Sequence, residues 1–591
     1  VPFVKLRLPA LAASFLGLCL LAALVPSSAA ATPPRTNPLA PFTAPVTVGA
    51  AVPQQWPQEV VPDGLGVLDV WVGGTASAQR VFARRWLPAS GWGPAVALSG
   101  ALRGIELDAS SSGGVAIVAW SGLPASGPRV VQAAIRMSRT APWAKSVSLG
   151  GAVGAVSVAA SNVDATVAWL APADGAGSVR VGVWTPGVWS ITTMRNGVPT
   201  TMTSARASIT HPVVVATASG RVVAWPVWDD MTAEHYVSAA TQVGRRAWTP
   251  TIRITPSGED CELAALEPTP QGASVLTSCV RGGSIALDTR DWSFLGTPSW
   301  GAATTLDDQA MPEASQGLWD LDSAWGGSGS SIVAVAWRHV GEPGSPATVA
   351  IHAARRTPDG TWSASVRMSP VGAVSAGPAV GISGSTAVVA WYRMVGTTYG
   401  VETAALRPDG TTTLAYLETE GVPARYVDAI RVMGTPSAAV IAWQRRPTRT
   451  SGGIIEASTF VPNWGWAPRH TLGTGYALGL ASSRTSTAVT WQHAGVVVGV
   501  TGSIVAPAAK GVPVVTRKGR TLFCTPPRYS PLPWQIGAVW FDGGVYIPNS
   551  TRAVYVVTAS RLGHTFRCRV AAATIGWPTN LTWSAPVRVT A

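Results

Sequence analysis

The chain has 591 residues, 47% of them apolar and 12% charged, with a formal net charge of +13. Such length and apolar content exclude a disordered chain and allow several domains or one large repeat array. The positive residues are scattered, in runs no longer than pairs such as Arg84-Arg85 and Arg355-Arg356. That pattern argues against a nucleic-acid partner and fits diffuse attraction to anionic cell-wall polymers.

The first segment reads as an export signal over residues 1–31. Lys5 and Arg7 precede the apolar stretch LPALAASFLGLCLLAALV, and PSSAAA supplies small residues for cleavage. Cys19 lies in mid-segment behind Leu18, which does not suit lipidation. Residues 32–41 read as a linker. No later stretch approaches the ~20 apolar residues of a spanning helix, so the mature chain is expected to be secreted and to act as a monomer.

From residue 42 to 505 one unit recurs. Its mark is an apolar strand closed by tryptophan: VLDVW at Trp71, VAIVAW at Trp120, ATVAW at Trp169, RVVAW at Trp225, VAVAW at Trp337, AVVAW at Trp391, AVIAW at Trp443 and TAVTW at Trp491. A degenerate copy, ASVLTSC, ends at Cys279. Before each copy lies a short alternating segment such as IELDAS (105–110). After it come a segment such as VETAALR (401–407), a Gly/Pro/Trp turn such as TPDGTW (357–362), and a last strand such as SVRMS (365–369). Four short strands per unit, with almost no helical periodicity, predict an all-β repeat.

A four-stranded sheet buries both faces only when sheets stack radially, which predicts a β-propeller of eight to nine blades. The continuous apolar run then suits a strand buried on both faces. The order of elements resembles the repeat of secreted bacterial β-propeller proteins, in the broad sense the sialidase-like superfamily. FTAPVTVG (42–49) reads as a lone fourth strand, and the last copy (476–502) lacks one. The two are expected to pair and close the ring.

Beyond Cys19 the cysteines number four: Cys261, Cys279, Cys524 and Cys568. An even count in an exported chain predicts two disulfides, with nearest-neighbour pairing Cys261–Cys279 and Cys524–Cys568. No His stands at ligand spacing beside them, so no metal is expected there. From about Val512 the pattern changes to RKGRTLFC, GAVWFDGGVYIP and TRAVYVVTASRLGHTFRCRV. Residues 511–591 resemble a bacterial immunoglobulin-like domain. The resemblance makes Cys524–Cys568 its inter-sheet disulfide and Trp540 the aromatic packed on it. Phe566 stands where a corner tyrosine is common.

Most of the 27 tryptophans are locked to the repeat and read as packing residues. Trp228, Trp319 and Trp325 are off register. Polar and aromatic residues collect just past the repeated strand, where packing no longer demands them: Trp228, Asp229, Asp230, His235, Arg338, His339, Tyr392, Arg393, Arg445, Gln492 and His493. They are expected on one rim, as a ligand platform or as a solvated surface. TPDGTW is similar to the structural hairpin of sialidases but one residue short, and no arginine triad with a paired Tyr and Glu accompanies it. A glycosidase needs two carboxylates across a cleft. The candidates are the segments WDDMTAEHY (228–236) and LWDLDSAW (318–325); in the second, Asp320 and Asp322 suit Ca²⁺, acid–base work or hydrogen bonds to loop amides, the last being the commonest use of such groups. No other cofactor is expected. The reading is a secreted binding or adhesion protein for a cell-surface glycan or envelope protein. Its alternatives are a sialidase- or glycosidase-type hydrolase and a purely structural envelope component.

Overall fold

The repeated apolar strands form the second strand of successive antiparallel sheets in a computed structural model of the chain. It describes residues 45–590, apart from 50–56, 89, 173–177, 195–211, 218, 230–233, 270, 295–297, 311–320, 327–331, 343–344, 396–397, 418–425, 436–437, 447–452, 462–464, 467–468, 484–485, 504–507, 531–534, 548–549, 551 and 574–579. The export-signal and linker readings lie outside these residues. The described chain is all-β but for one short 3-10 turn at Ala559–Arg561, and no described helix is long and apolar enough to cross a membrane.

A clear sheet is the one running Val156–Ala160, Ala165–Ala171, Ser178–Thr185 and Val188–Met194, in sequence order. Elsewhere the fourth strand is broken: Ala78–Leu87 pairs with both Gly91–Trp92 and Val96–Ala97. Late in the array one strand, His470–Ser482, serves two sheets. Its first half pairs with Gly453–Val461 and its second with Ser486–His493.

The first strand of each sheet touches the first strand of the next. The series runs Gln58–Asp63, Arg103–Ser112, Val156–Ala160, Val213–Ala216, Asp260–Thr269, Leu321–Gly326, Val374–Ser383, Tyr426–Gly434, His470–Ser482, and returns to Gln58–Asp63. These inner strands therefore form a closed cycle. The N-terminal strand Val46–Gly49 pairs with Val496–Ser503 and completes the last sheet, as expected from the sequence. Sheets of this kind, stacked in a cycle, are consistent with a β-propeller.

The core lies between sheets. Trp71, Trp120, Trp169, Trp337, Trp391, Trp443 and Trp491 are among the largest fully buried side chains, and Trp225 is nearly so. Several of the buried indoles find a partner for the N–H. Trp391 finds Glu402 at 3.0 Å, Trp443 finds Glu456 at 3.1 Å, Trp120 finds Gln132 at 3.0 Å and Trp169 finds the Gly151 carbonyl at 3.1 Å.

Both disulfides are present as paired above. The degenerate copy needs a correction. Register places Thr277, not Cys279, in the tryptophan slot. Ala273 faces Trp292 as Ala165 faces Trp184, and Thr277 faces Asp288 as Trp391 faces Glu402. Two residues beyond the slot, Cys279 sits directly opposite Cys261. Glu259 lies beside these sulfurs, but the disulfide leaves no thiolate for a metal.

Residues 508–590 build separate sheets. One contains Val514–Lys518, Thr521–Thr525 and Val554–Val556. Another contains Val545–Tyr546, Gln535–Asp542, Thr565–Ala573 and Asn580–Trp583, with Val587–Arg588 beside it. Cys524 and Cys568 join these two sheets, and Trp540, Phe566 and Leu522 are buried in the same cluster.

Candidate functional site

The connection from second to third strand lies at the same end of every sheet. Strand pairing therefore carries the predicted rim residues to equivalent ends, and apart from the contact of His235 with Asp260 of the next sheet their described contacts fall within individual sheets.

Trp228 and His235 face each other near the end of the hairpin Gly220–Asp229/Glu234–Val243. Their ring centroids are 4.5 Å apart, tilted by 56°. His235 Nδ1 lies 2.9 Å from Asp260 Oδ1, and its backbone N–H donates to the same oxygen at 2.7 Å. One strand residue further, the Arg253 guanidinium sits 4.6 Å over Tyr236, with Glu234 at 3.8 Å. Trp228, His235 and Tyr236 are all half-buried. Because neighbouring strand residues alternate faces, Trp228 and His235, with Asp260 against it, take one face of the sheet and Tyr236 and Arg253 the other, so the first face offers a partly open indole beside an imidazole and a carboxylate. The Asp229 and His339 side chains, and all of Asp230, lie outside the described residues, as do Asp320, Trp319 and the Trp325 side chain.

The remaining rim residues divide. Tyr392 is half-buried and meets Tyr399 edge-on at 5.7 Å. His493 is exposed, 3.2 Å from the Thr474 hydroxyl. Arg338 is half-buried, and Gln492 is buried. Arg393 donates to Glu402 at 2.8 Å. Arg445 is buried and pairs with Glu456 through Nε at 2.8 Å and Nη2 at 3.3 Å. These arginines serve the carboxylates that hold Trp391 and Trp443, so their recurrence two residues after the tryptophan has a packing cause.

Asp322 does not stand alone either. It occupies a register position that recurs in every inner strand, opposite the residue before the tryptophan. Glu59 faces Val70, Asp108 faces Ala119, Ser157 faces Ala168, Asp322 faces Ala336 and Arg431 faces Ala442. Several of these side chains accept a backbone N–H from the next inner strand: Asp108 from Val158 at 2.7 Å, Ser157 from Val214 at 3.2 Å, Asp322 from Val380 at 2.9 Å. Glu267 reaches the next strand another way, accepting from the Ser323 hydroxyl at 2.5 Å. Of the three uses weighed for Asp322, the hydrogen bond to an amide is the observed one, and its partner is a strand rather than a loop.

Burial dominates the acidity of this inner set. It pushes Glu59 up to about 8, with the Asp108 charge adding and Arg431 opposing. It pushes Glu267 to about 7 and Asp108 to about 6, against the hydrogen bonds each accepts. Asp322 is raised by the same cause. As whole residues the four are half-buried, packed among inner strands. Glu59, Asp108 and Glu267 belong to no motif in the sequence. The available signal was an acid inside an otherwise apolar inner strand, as in IELDAS.

A cavity of about 1030 Å³ lies at the other end of the sheets, among Ser110, Ser111, Asn162, Asp164, Thr217 and Arg221. Gly220, which lines it, and Trp228 mark opposite ends of one strand. Among its ionic groups Asp164 pairs with Arg221, which also donates to Gln242 at 2.7 Å. No residue chosen from sequence lies there.

No family model matches the chain, and no curated protein matches it. Solved structures do. They include an ulvan lyase of polysaccharide lyase family PL25, 8% identical over 58% of this chain and 90% of that one, TM-score 0.35. Another is the endosialidase of phage phi92, 9% identical over 91% and 88%, TM-score 0.29. A third is the β-propeller domain of the trilobed protease of Pyrococcus furiosus, 7% identical over 63% and 96%, TM-score 0.31. Likeness at this level carries no argument about activity.

Proposed function

We propose that the chain is a secreted, nine-bladed β-propeller followed by an immunoglobulin-like module, and that it binds a glycan on the rim around Trp228. The cycle of inner strands supports the blade count. The inter-sheet disulfide with Trp540 beside it supports the module, and two disulfides suit an oxidising compartment. One observation carries the binding reading: Trp228 and His235 stay partly open outside the repeated packing register, with His235 against Asp260. Aromatic faces take the apolar side of a sugar ring, while the carboxylate and imidazole take its hydroxyls.

The hydrolase reading draws on a different observation. Burial pushes Glu59 up to about 8 and Glu267 up to about 7, the direction a general acid requires. Asp108 and Asp322 serve it less well, because each already accepts backbone amides. A glycan-array screen run with hydrolysis assays tests both readings. Trp228→Ala is expected to weaken binding by roughly 1–3 kcal/mol while leaving thermal stability nearly unchanged. Turnover abolished by Glu59→Gln would put the hydrolase first. Absence of both binding and turnover across glycans and envelope proteins would favour the structural role.

A further inference from the structure

The positive charge of this chain is not evenly shared. Residues 508–591 hold ten Lys or Arg and a single acid, Asp542, and so carry nine of the thirteen net charges. Asp542 is itself engaged, 2.9 Å from His564 and 3.9 Å from Arg561. The rest of this charge therefore has no carboxylate within residues 508–591 to neutralise it.

Two of the arginines are held in a defined array. In the strand Thr565–Ala573, Phe566, Cys568 and Val570 point into the disulfide-bonded core, so Arg567 and Arg569 share the opposite face. Arg567 lies opposite Phe541, and Arg569 lies opposite Trp583. The Arg567 guanidinium sits 5.3 Å from the Trp583 ring. That of Arg569 sits 5.4 Å from Trp583 and 4.9 Å from Phe541. Phe541 and Trp583 are 4.6 Å apart. Arg567 Nε donates to the Ser584 carbonyl at 3.1 Å, and neither arginine has a carboxylate partner among the described residues. Trp583 and Tyr546 remain 36% and 45% exposed at the margin.

Stacking fixes the plane of a guanidinium and leaves its outer N–H fork free, so less entropy is lost when that fork takes an oxyanion. Two such forks on one sheet face, within a region of uncompensated positive charge, match a chain of regularly spaced carboxylates. Guanidiniums lie against Trp583, and Phe541 is buried, which leaves poor platforms for stacked bases. That favours an acidic polysaccharide over single-stranded nucleic acid. We infer that the outer face bearing Arg567, Arg569, Phe541, Trp583 and Tyr546 is a binding site for a carboxylate-bearing polysaccharide, separate from the Trp228 rim.

The test measures binding of the full chain to polygalacturonate, dextran and poly(dT) over a salt series. Polygalacturonate is expected to bind at low salt and dextran not to bind at this face. Arg567→Gln with Arg569→Gln should weaken polygalacturonate binding at least tenfold. Lys518→Gln with Arg520→Gln, an equal loss of charge at exposed positions on another strand and turn, should weaken it less than threefold. Arg567→Lys with Arg569→Lys keeps the charge and loses the fork, so it should fall between the two. Retention of the Cys524–Cys568 cross-link and of the parent unfolding profile shows that each variant is folded. Equal losses in the two Gln pairs would reduce the site to bulk charge and overturn the inference. So would absence of polygalacturonate binding, or binding of poly(dT) as tight and as dependent on Arg567 and Arg569. Trp228→Ala should leave polygalacturonate binding unchanged, which separates this site from the rim.

Discussion

Trp443 and Glu456 face each other across adjacent strands, and the buried indole N–H donates to the carboxylate at 3.1 Å. The same carboxylate takes Arg445 and stands 99% buried. Trp391, Glu402 and Arg393 repeat the arrangement one sheet earlier. Glu456→Ala leaves a buried guanidinium and an indole N–H without their acceptor. It is expected to cost about 3–5 kcal/mol, read as a lower denaturant midpoint with unchanged slope. Arg393→Ala, where the arginine is more open, should cost distinctly less.

The inner carboxylates set a pH dependence whose sign is fixed. Glu59 is protonated in the folded protein up to about 8, whereas an unfolded chain releases that proton near 4.5. Between those values the folded state binds more protons, so stability falls as pH rises through the window. Glu267 adds a slope of the same sign up to about 7. Glu59→Gln should therefore raise the melting temperature more at pH 8 than at pH 5, a gain of roughly 1–3 kcal/mol at the higher pH. Equal changes at both values would show that Glu59 is not held protonated.

Close approach of two inner strands makes Gly434 irreplaceable. A Cβ there would stand 1.7 Å from the Ile382 carbonyl oxygen, a backbone atom that cannot rotate away. Gly434→Ala should destabilise by about 1–3 kcal/mol or more. Gly100→Ala, where a Cβ meets nothing within 4 Å, is the control and should stay near zero in the same thermal scan.

The Cys524–Cys568 bond ties together a core built wholly from residues 509–589. Replacing both cysteines by alanine should cost that core about 2–5 kcal/mol. Calorimetry is expected to show one transition moving down while the transition of residues 46–503 stays in place. A single transition moving as a whole would mean that the two cores unfold together.

Local pattern was sufficient for much of this architecture. Apolar pentads ending in tryptophan can be buried only between sheets, and a lone strand at one end of an array can be completed only at the other. Both consequences follow from counting unsatisfied faces and edges, without coordinates. The cysteine pairings followed from proximity along the chain. Register was not legible in the degenerate copy, because Cys279 was aligned by its place at the end of an apolar run. The ladder gives the slot to Thr277, since Ala273 is the residue that meets Trp292. The partners of Arg393 and Arg445 were illegible for a related reason. Their partners Glu402 and Glu456 lie on the next strand, and only pairing shows that a rim position is spent on a buried carboxylate. Glu59, Asp108, Asp322 and Arg431 are far apart in sequence. The ring of inner strands sets them at one level, where burial raises the three carboxyls and the Arg431 charge opposes the rise at Glu59 and Asp322. Periodicity along a chain records which face a residue takes. What that face meets is decided by the strand brought against it.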